Sequence, residues 1–298
     1  MNIKNVFSIK DLENLSGVKA HTIRIWEKRY NILQPMRSDT NIRYYNLESL
    51  QKLLNITLLH NHGFKISRIA TFSDEAISQM VLDVLSEKSV KNHAINALKI
   101  AMMKFDQTSF SVTYINLLEE KSFNEIFYEV FIPLLEEIGL LWQTNTITPA
   151  HEHFISYLIR QKLLINTEKI QMLPRTKTDK VFILYLPLNE IHELGLMYLH
   201  YEIMLQGYQS IYLGESIPME NLNDLKRYFD SIVFVSYFTV QPQMDQIDDY
   251  LTKFTNEILN DSTSKLWLLG KMTRFIDTKK LIPNTVIFDT ISECVDNL

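Results

Sequence analysis

The spacing of apolar positions changes along this chain, and the change divides it. Near the start, Ile9, Leu12 and Leu15 fall on one face of a short helix, with Ser8 as N-cap and Gly17 at the turn. A second helix is expected from about Lys19 to Arg29, so the pair reads as helix-turn-helix. Helices from about Leu47 to His60 and Lys65 to Ala70 follow. From about Asp74 to Ile170 the helical period continues with few turn residues. Phe127–Gly139 and Ile155–Leu164 are amphipathic, which predicts a four-helix bundle. Residues 166–180 turn polar around Pro174 and read as a linker. Short apolar runs then take over, at Val181–Leu186, Gln209–Leu213, Ile232–Ser236, Lys265–Leu269 and Thr285–Phe288. They alternate with helical segments, as the strands of a parallel sheet do.

A chain of 298 residues with 46% apolar and 22% charged residues supports two or three domains with sizeable cores. The single cysteine, Cys294, cannot close an internal disulfide. The first residues lack the apolar region of a signal peptide, and no apolar stretch has the length of a membrane span. A cytoplasmic protein with no membrane partner is the expectation. The net charge of -5 hides an asymmetry. Between Met1 and Ala70 stand eleven Lys and Arg against five Asp and Glu, which predicts one anion-binding end on an otherwise acidic molecule.

The chemistry is concentrated after the run Val181–Leu186, in Glu190-Ile-His-Glu-Leu-Gly195. A buried strand, a polar loop and a helix would put His192 at the carboxyl end of a parallel strand, where open α/β sheets bind ligands. Glu190 can accept a hydrogen bond from one ring nitrogen of His192 and leave the other for a metal. By itself, a loop histidine can equally be structural or solvated. Of only 7 glycines, Gly195, Gly207 and Gly214 follow within a short span, a sign of close backbone approach or tight turns. No nucleophile and base pair or phosphate loop stands out, so an enzyme is not expected.

Glu190-x-His192-x-x-Gly195, followed by Leu205-Gln-Gly-Tyr and Tyr212-Leu-Gly-Glu, resembles the cobalamin-binding Rossmann-like domain of methionine synthase and the corrinoid proteins. The resemblance implies that His192 is the lower axial ligand of cobalt and Glu190 its partner. It also implies that the cofactor's nucleotide tail enters a slot between sheet and helix. Ser236-Tyr-Phe238 stands at the family's Ser-x-Leu position, with Ser236 available to the displaced benzimidazole. Leu269-Gly270-Lys271 stands at its Gly-Gly position, where Lys271 adds bulk on the path of the tail.

The front of the chain, Thr22-Ile-Arg-Ile-Trp-Glu-Lys-Arg-Tyr30, then Pro35-Met-Arg37 and Asn41-Ile-Arg-Tyr-Tyr45, resembles the winged helix-turn-helix of MerR-type regulators. That resemblance implies a second helix in the major groove of double-stranded operator DNA and a wing from about Gln34 to Tyr45 over the phosphates. The DNA-binding residues would be Thr22, Arg24, Arg29, Tyr30, Arg37, Arg43 and Tyr45, the arginines offering forks suited to phosphate. Trp26 reads as core. Thr40-Asn41 replaces the glycines usual in the wing, and Asn tolerates positive φ.

Between the two ends, Trp142, nine residues, then Glu152-His153 matches the signature of helical domains that cap cobalamin in the CarH/LitR group of light-responsive MerR regulators. An indole gives a flat wall beside an upper ligand such as adenosyl, and Glu152 and His153 give it hydrogen-bond partners. Alone, Trp142 would read as a core residue. Light-sensing members carry a His after this Trp; here it is Gln143, with His151 as a substitute.

The expected fold is therefore multidomain α and α/β. A winged helix-turn-helix spans residues 1–72, a helical bundle 74–170, and a Rossmann-like parallel sheet with Gly195, Ser236 and Gly270 at its cofactor site 179–298. The expected function is a transcriptional regulator, a repressor, controlled by adenosylcobalamin and by light through a change of homo-oligomer, dimer or tetramer. The alternative is a MerR-type regulator that uses the same fold without cofactor, for dimerisation or for docking an antirepressor.

Overall fold

The computed structural model describes residues 6–38, 40–83, 87–144, 146–260, 263–277 and 284–298. The chain forms two compact units that meet within one helix, at Leu158 and Ile159.

The first unit opens with β1 (Phe7–Ser8), α1 (Ile9–Ser16) and α2 (Ala20–Tyr30). Ser8 and Asp11 form a capping box at the start of α1, and Gly17 ends it in the left-handed conformation at φ 75°. The strands β2 (Met36–Arg37) and β3 (Arg43–Tyr45) pair antiparallel, and β1 joins the other edge of β3. Asn41 makes the intervening turn at φ 63°, the conformation that its side chain tolerates. Trp26 is buried, as its spacing predicted. Then come α3 (Leu47–Asn61), α4 (Ile66–Ile69), α5 (Asp74–Asp83), α6 (Glu87–Lys104) and α7 (Gln107–Leu118). A continuous helical stretch follows, from α8 (Phe123–Ile126) through a π-helical turn (Phe127–Phe131) into α9 (Ile132–Gln143). Pro133 lacks the N–H that an α-helical turn would use, and the wider turn stands directly before it.

The helix α10 (Pro149–Ile170) and the strand β4 (Lys177–Tyr185) correct the expected linker at 166–180. Only six residues separate them. The polar composition there belongs to the last turn of α10, where Asn166 and Thr167 are buried and Glu168 and Lys169 exposed, and to the solvent-facing start of a strand.

In the second unit, α11 (Leu194–Leu205), β5 (Tyr208–Gly214), α12 (Met219–Asn223), β6 (Ile232–Tyr237), α13 (Ile247–Glu257), β7 (Lys265–Leu269), β8 (Thr285–Ile287) and α14 (Ile291–Asp296) complete the chain. Among the described residues the sheet has five strands, all parallel, in the order β5-β4-β6-β7-β8. Ile183, Tyr185, Phe234 and Phe254 are fully buried on the face covered by α13. The chain leaves β4 toward one side and returns as β6 on the other, so the carboxyl ends of these two neighbours form the crevice where such sheets hold ligands. No described helix is long and apolar enough to cross a membrane.

Candidate functional site

Two loops frame that crevice, one after β4 and one after β6, and a single carboxylate joins them. Glu190 is fully buried. Its Oε1 accepts the backbone N–H groups of Ile191 at 2.9 Å and His192 at 3.0 Å, and lies 2.6 Å from Nδ1 of the His192 ring. Its Oε2 accepts three successive backbone N–H groups across the crevice, from Thr239 at 3.2 Å, Val240 at 2.6 Å and Gln241 at 2.8 Å. Burial pushes this carboxyl up. The bonds from the His192 ring and from the backbone of Gln241, Val240 and His192 outweigh it and hold the group at about 2. An ionised carboxylate only accepts, so Nδ1 carries the hydrogen and Nε2 is the nitrogen with a lone pair for a metal. The His192 side chain is 49% accessible, unlike its partner at 1%. Metal-binding histidines are commonly oriented by a carboxylate in this way.

Glycines set the walls. Gly195 opens α11, and a Cβ there would lie 2.9 Å from the Tyr237 ring, so the ring rests on the helix backbone. Gly270 has φ 103°, and a Cβ would lie 2.4 Å from the Phe238 carbonyl oxygen. Phe238 and the turn after β7 are tied by backbone bonds, Phe238 N–H to Leu269 and Met272 N–H to Phe238. Only glycine lets these two segments approach so closely. Ser236 is fully buried at the carboxyl end of β6, with the Tyr185 hydroxyl beside its Oγ. A buried hydroxyl at a crevice strand can serve a polar ligand group. Lys271, the residue expected to add bulk on the path of the tail, is exposed at the start of a short 3₁₀ turn.

Glu193, next to His192, was not singled out from the sequence. Its Oε2 accepts the Tyr212 hydroxyl at 2.5 Å, and its Oε1 pairs with Arg160 of α10 at 2.8 Å. The backbone donors of residues 239–241 were also missed, since their side chains carry no signal. Among the described residues no group of three or more His, Cys, Asp or Glu could hold a metal ion by itself. A cofactor that brings its own metal in a macrocycle would require no such group.

In the first unit, Trp142 stands exposed in the last turn of α9, and Glu152 and His153 occupy the first turn of α10. The short connection between the helices puts all three at one end of the bundle. His153 Nδ1 lies 3.2 Å from Glu152 Oε2, and Ser156 donates to Glu152 Oε1 at 2.8 Å. The Gln143 side chain lies outside the described residues. His151 is already engaged. Its Nδ1 accepts the Thr148 N–H at 3.2 Å and its ring stacks on Phe105, so the neutral ring keeps its proton on Nε2.

On α2, Arg24 and Arg29 are exposed and Thr22 and Tyr30 half-buried, and on the wing Arg37 is exposed. Arg37 donates to Asn41 Oδ1 at 2.5 Å, and Arg29 lies over the Tyr30 ring. Arg43 pairs with Glu27 at 3.4 Å and is partly withdrawn from solvent. Tyr45 must be removed from the DNA-contact set. It is fully buried and its hydroxyl donates to buried Glu27, so it braces the wing from inside.

Residues 7–76 match the family model described as MerR HTH family regulatory protein, and residues 94–165 match that described as B12 binding domain. The chain is 26% identical over 225 residues to the HTH-type transcriptional repressor CarH of Myxococcus xanthus, covering 74% of each protein. It is 24% identical over 215 residues to the repressor CarA of the same organism, covering 70% of this chain and 68% of CarA. Among solved structures, the monomethylamine corrinoid protein of Methanosarcina barkeri shares the fold with a TM-score of 0.57 at 14% identity, over 70% of this chain and 97% of that one. The chain thus carries a MerR-type HTH segment followed by a B12 binding segment, and it is a distant homologue of the CarH and CarA repressors.

Proposed function

We propose that this regulator represses transcription under control of adenosylcobalamin, with light as the releasing signal. The observation that supports the reading is the clamp on His192, in which a buried carboxylate takes Nδ1, so that Nε2 would be the nitrogen offered to a metal. Adenosylcobalamin supplies a cobalt that accepts an imidazole below and a cobalt–carbon bond above that light can break. His192 would hold the cobalt, Ser236 would bond the displaced benzimidazole, and the backbone at Gly195 and Gly270 would border the tail. Trp142, Glu152 and His153 would face the upper ligand.

Arg24 and Arg29 of α2 and Arg37 and Arg43 of the wing, with Thr22 and Tyr30, would grip the operator. One small winged helix holds a half-site weakly, and joining several heads in a dimer or tetramer multiplies affinity through effective concentration. Binding that favours the oligomer therefore switches repression. The decisive experiment is reconstitution with adenosylcobalamin in the dark, then gel filtration and absorption before and after green light. The expected result is retained corrin absorbance, a larger assembly in the dark, its dispersal by light, and loss of the histidine-ligated signature in His192→Ala.

One observation favours a second reading, a regulator that uses this fold without cofactor. The Tyr237 ring rests on Gly195, at the border assigned to the tail. Absence of retained corrin absorbance would select that reading.

A further inference from the structure

Glu193 directly follows the ligand histidine, and both of its carboxylate oxygens are taken by groups from other elements. Tyr212 of β5 donates to one at 2.5 Å and Arg160 of α10 pairs with the other at 2.8 Å. The Glu193 side chain is largely buried, whereas that of Arg160 is 42% accessible. Arg160 lies on a distinctive stripe of α10. His153, Tyr157, Arg160 and Leu164 follow one another at four, three and four residues, so they share a face. Tyr157 and Leu164 on that stripe are 56% and 54% exposed, large apolar groups turned outward. Seven residues of helix separate His153 from Arg160, about 10 Å along the axis.

We propose that the Arg160–Glu193 ion pair couples occupancy of His192 to α10, and so to assembly. The inference rests on the reading of His192 as the cobalt ligand. His192 and Glu193 are adjacent, so a displacement of the ring toward a ligand moves the Glu193 backbone, and the carboxylate is the group through which α10 feels it. Tyr212 holds the carboxylate from the sheet side and directs it at the guanidinium. The half-exposed arginine makes the pair a poor stabiliser of the fold, since solvent-screened pairs contribute little. Its geometric role is the larger one. Arg160 is thus a positioning residue, which acts through Glu193.

The test compares wild type, Arg160→Met, Arg160→Lys and Glu193→Gln, each full length, with and without adenosylcobalamin in the dark. Three quantities are read: the absorption of bound corrin, the sedimentation of the assembly, and operator affinity. Amide exchange over residues 191–196 is also read in the cofactor-free protein. Wild type should gain affinity on binding by about 5–150-fold, the usual range of a coupling. Arg160→Met and Glu193→Gln should keep the histidine-ligated spectrum, lose the change in assembly, and bring that gain close to one. Their exchange at 191–196 should be faster, and Arg160→Lys should restore part of the coupling. Wild-type coupling in Arg160→Met would overturn the proposal while leaving the ligand assignment intact. So would loss of corrin binding in that variant, which would make the pair part of the binding site. A wild type that retains no corrin overturns both.

Discussion

Glu190 holds His192 twice, by the backbone N–H at 3.0 Å and by ring Nδ1 at 2.6 Å, while its other oxygen anchors the loop after β6. The same residue that orients the imidazole therefore closes the crevice between β4 and β6. Function and local stability are joined in one carboxylate.

That junction predicts a pH dependence. Glu190 is held at about 2 against an ordinary value of 4.5, so its folded-state pKa is depressed. Its contribution is fully present above the unfolded value and is lost as pH falls from about 4.5 through about 2. The difference corresponds to about 3 kcal/mol. Glu190→Gln removes the charge and turns an acceptor into a donor, which leaves N–H groups orphaned on one side of the crevice. Urea unfolding at pH 6 should show the variant less stable by about 3 kcal/mol, and the gap should narrow at pH 3. A constant gap across that range would refute the assignment.

Two glycines make a matched pair for a backbone test. Gly17 and Gly270 both have positive φ, at 75° and 103°, but a Cβ at Gly17 meets no atom within 4 Å, whereas at Gly270 it meets the Phe238 carbonyl oxygen at 2.4 Å. Gly17→Ala should cost about 1 kcal/mol, from backbone conformation alone. Gly270→Ala adds a clash with main chain, which cannot rotate away, and should cost more than about 3 kcal/mol or prevent folding. Thermal denaturation of the two variants decides it, and equal losses would contradict the close approach.

At the DNA-binding end, the division of labour between Tyr45 and Arg24 is testable. Tyr45→Phe deletes the hydroxyl that bonds Glu27 and should lower stability by about 1.5–3 kcal/mol, as for a bond to a charged group. Operator affinity of the folded protein and its salt dependence should stay as they were. Arg24→Ala, at an exposed position on α2, should do the opposite. Stability should change by less than about 0.5 kcal/mol, and affinity should fall about equally for all sequences with a salt slope smaller by about one. A salt slope altered by Tyr45→Phe would return that residue to the interface.

Much of this architecture was legible in the sequence because period and length are local. The five apolar runs became five parallel strands, and Ser8, Asp11 and Gly17 bounded the first helix as their chemistry requires. The motif Glu190-x-His192 gave the hydrogen bond that was expected of it. Contacts made by main chain, or by residues distant in sequence, were not legible. The three N–H groups at 239–241 carry no side-chain signature, and Arg160 meets Glu193 only because the fold brings α10 to that loop. Tyr45 misled because a tyrosine beside arginines in a wing suggests phosphate, whereas its partner Glu27 lies eighteen residues earlier and is buried. The polar tract from Asn166 misled for a simpler reason: Asn166 and Thr167 are polar yet buried in α10, and polarity alone does not separate a helix end from a linker.

Lys99 offers the last prediction, on how the DNA-binding segment is joined to the bundle within the first unit. It is 5% exposed, and its ammonium bonds the Leu15 carbonyl at 3.2 Å and Glu137 Oε2 at 2.7 Å. Leu15 lies in the last turn of α1, where carbonyls lack intrahelical partners and no basic residue of the helix itself is present. Lys99 supplies that cation from α6, and Asn14 adds a second tie by donating to Thr146 at 2.9 Å. The two ties border a cleft of about 530 Å³ lined by α1, α3, α6 and α9. Lys99→Met keeps the apolar stem and removes the charge, and Glu137 can rehydrate because its side chain is 44% accessible. The loss should therefore be about 1–2 kcal/mol, below that of a fully buried pair. Both ties hold the same helix to the bundle, so Lys99→Met and Asn14→Ala together should depart from additivity by more than about 0.5 kcal/mol. Urea unfolding of wild type, the two single variants and the double variant gives the coupling, and strict additivity would show that α1 is held independently of the pair.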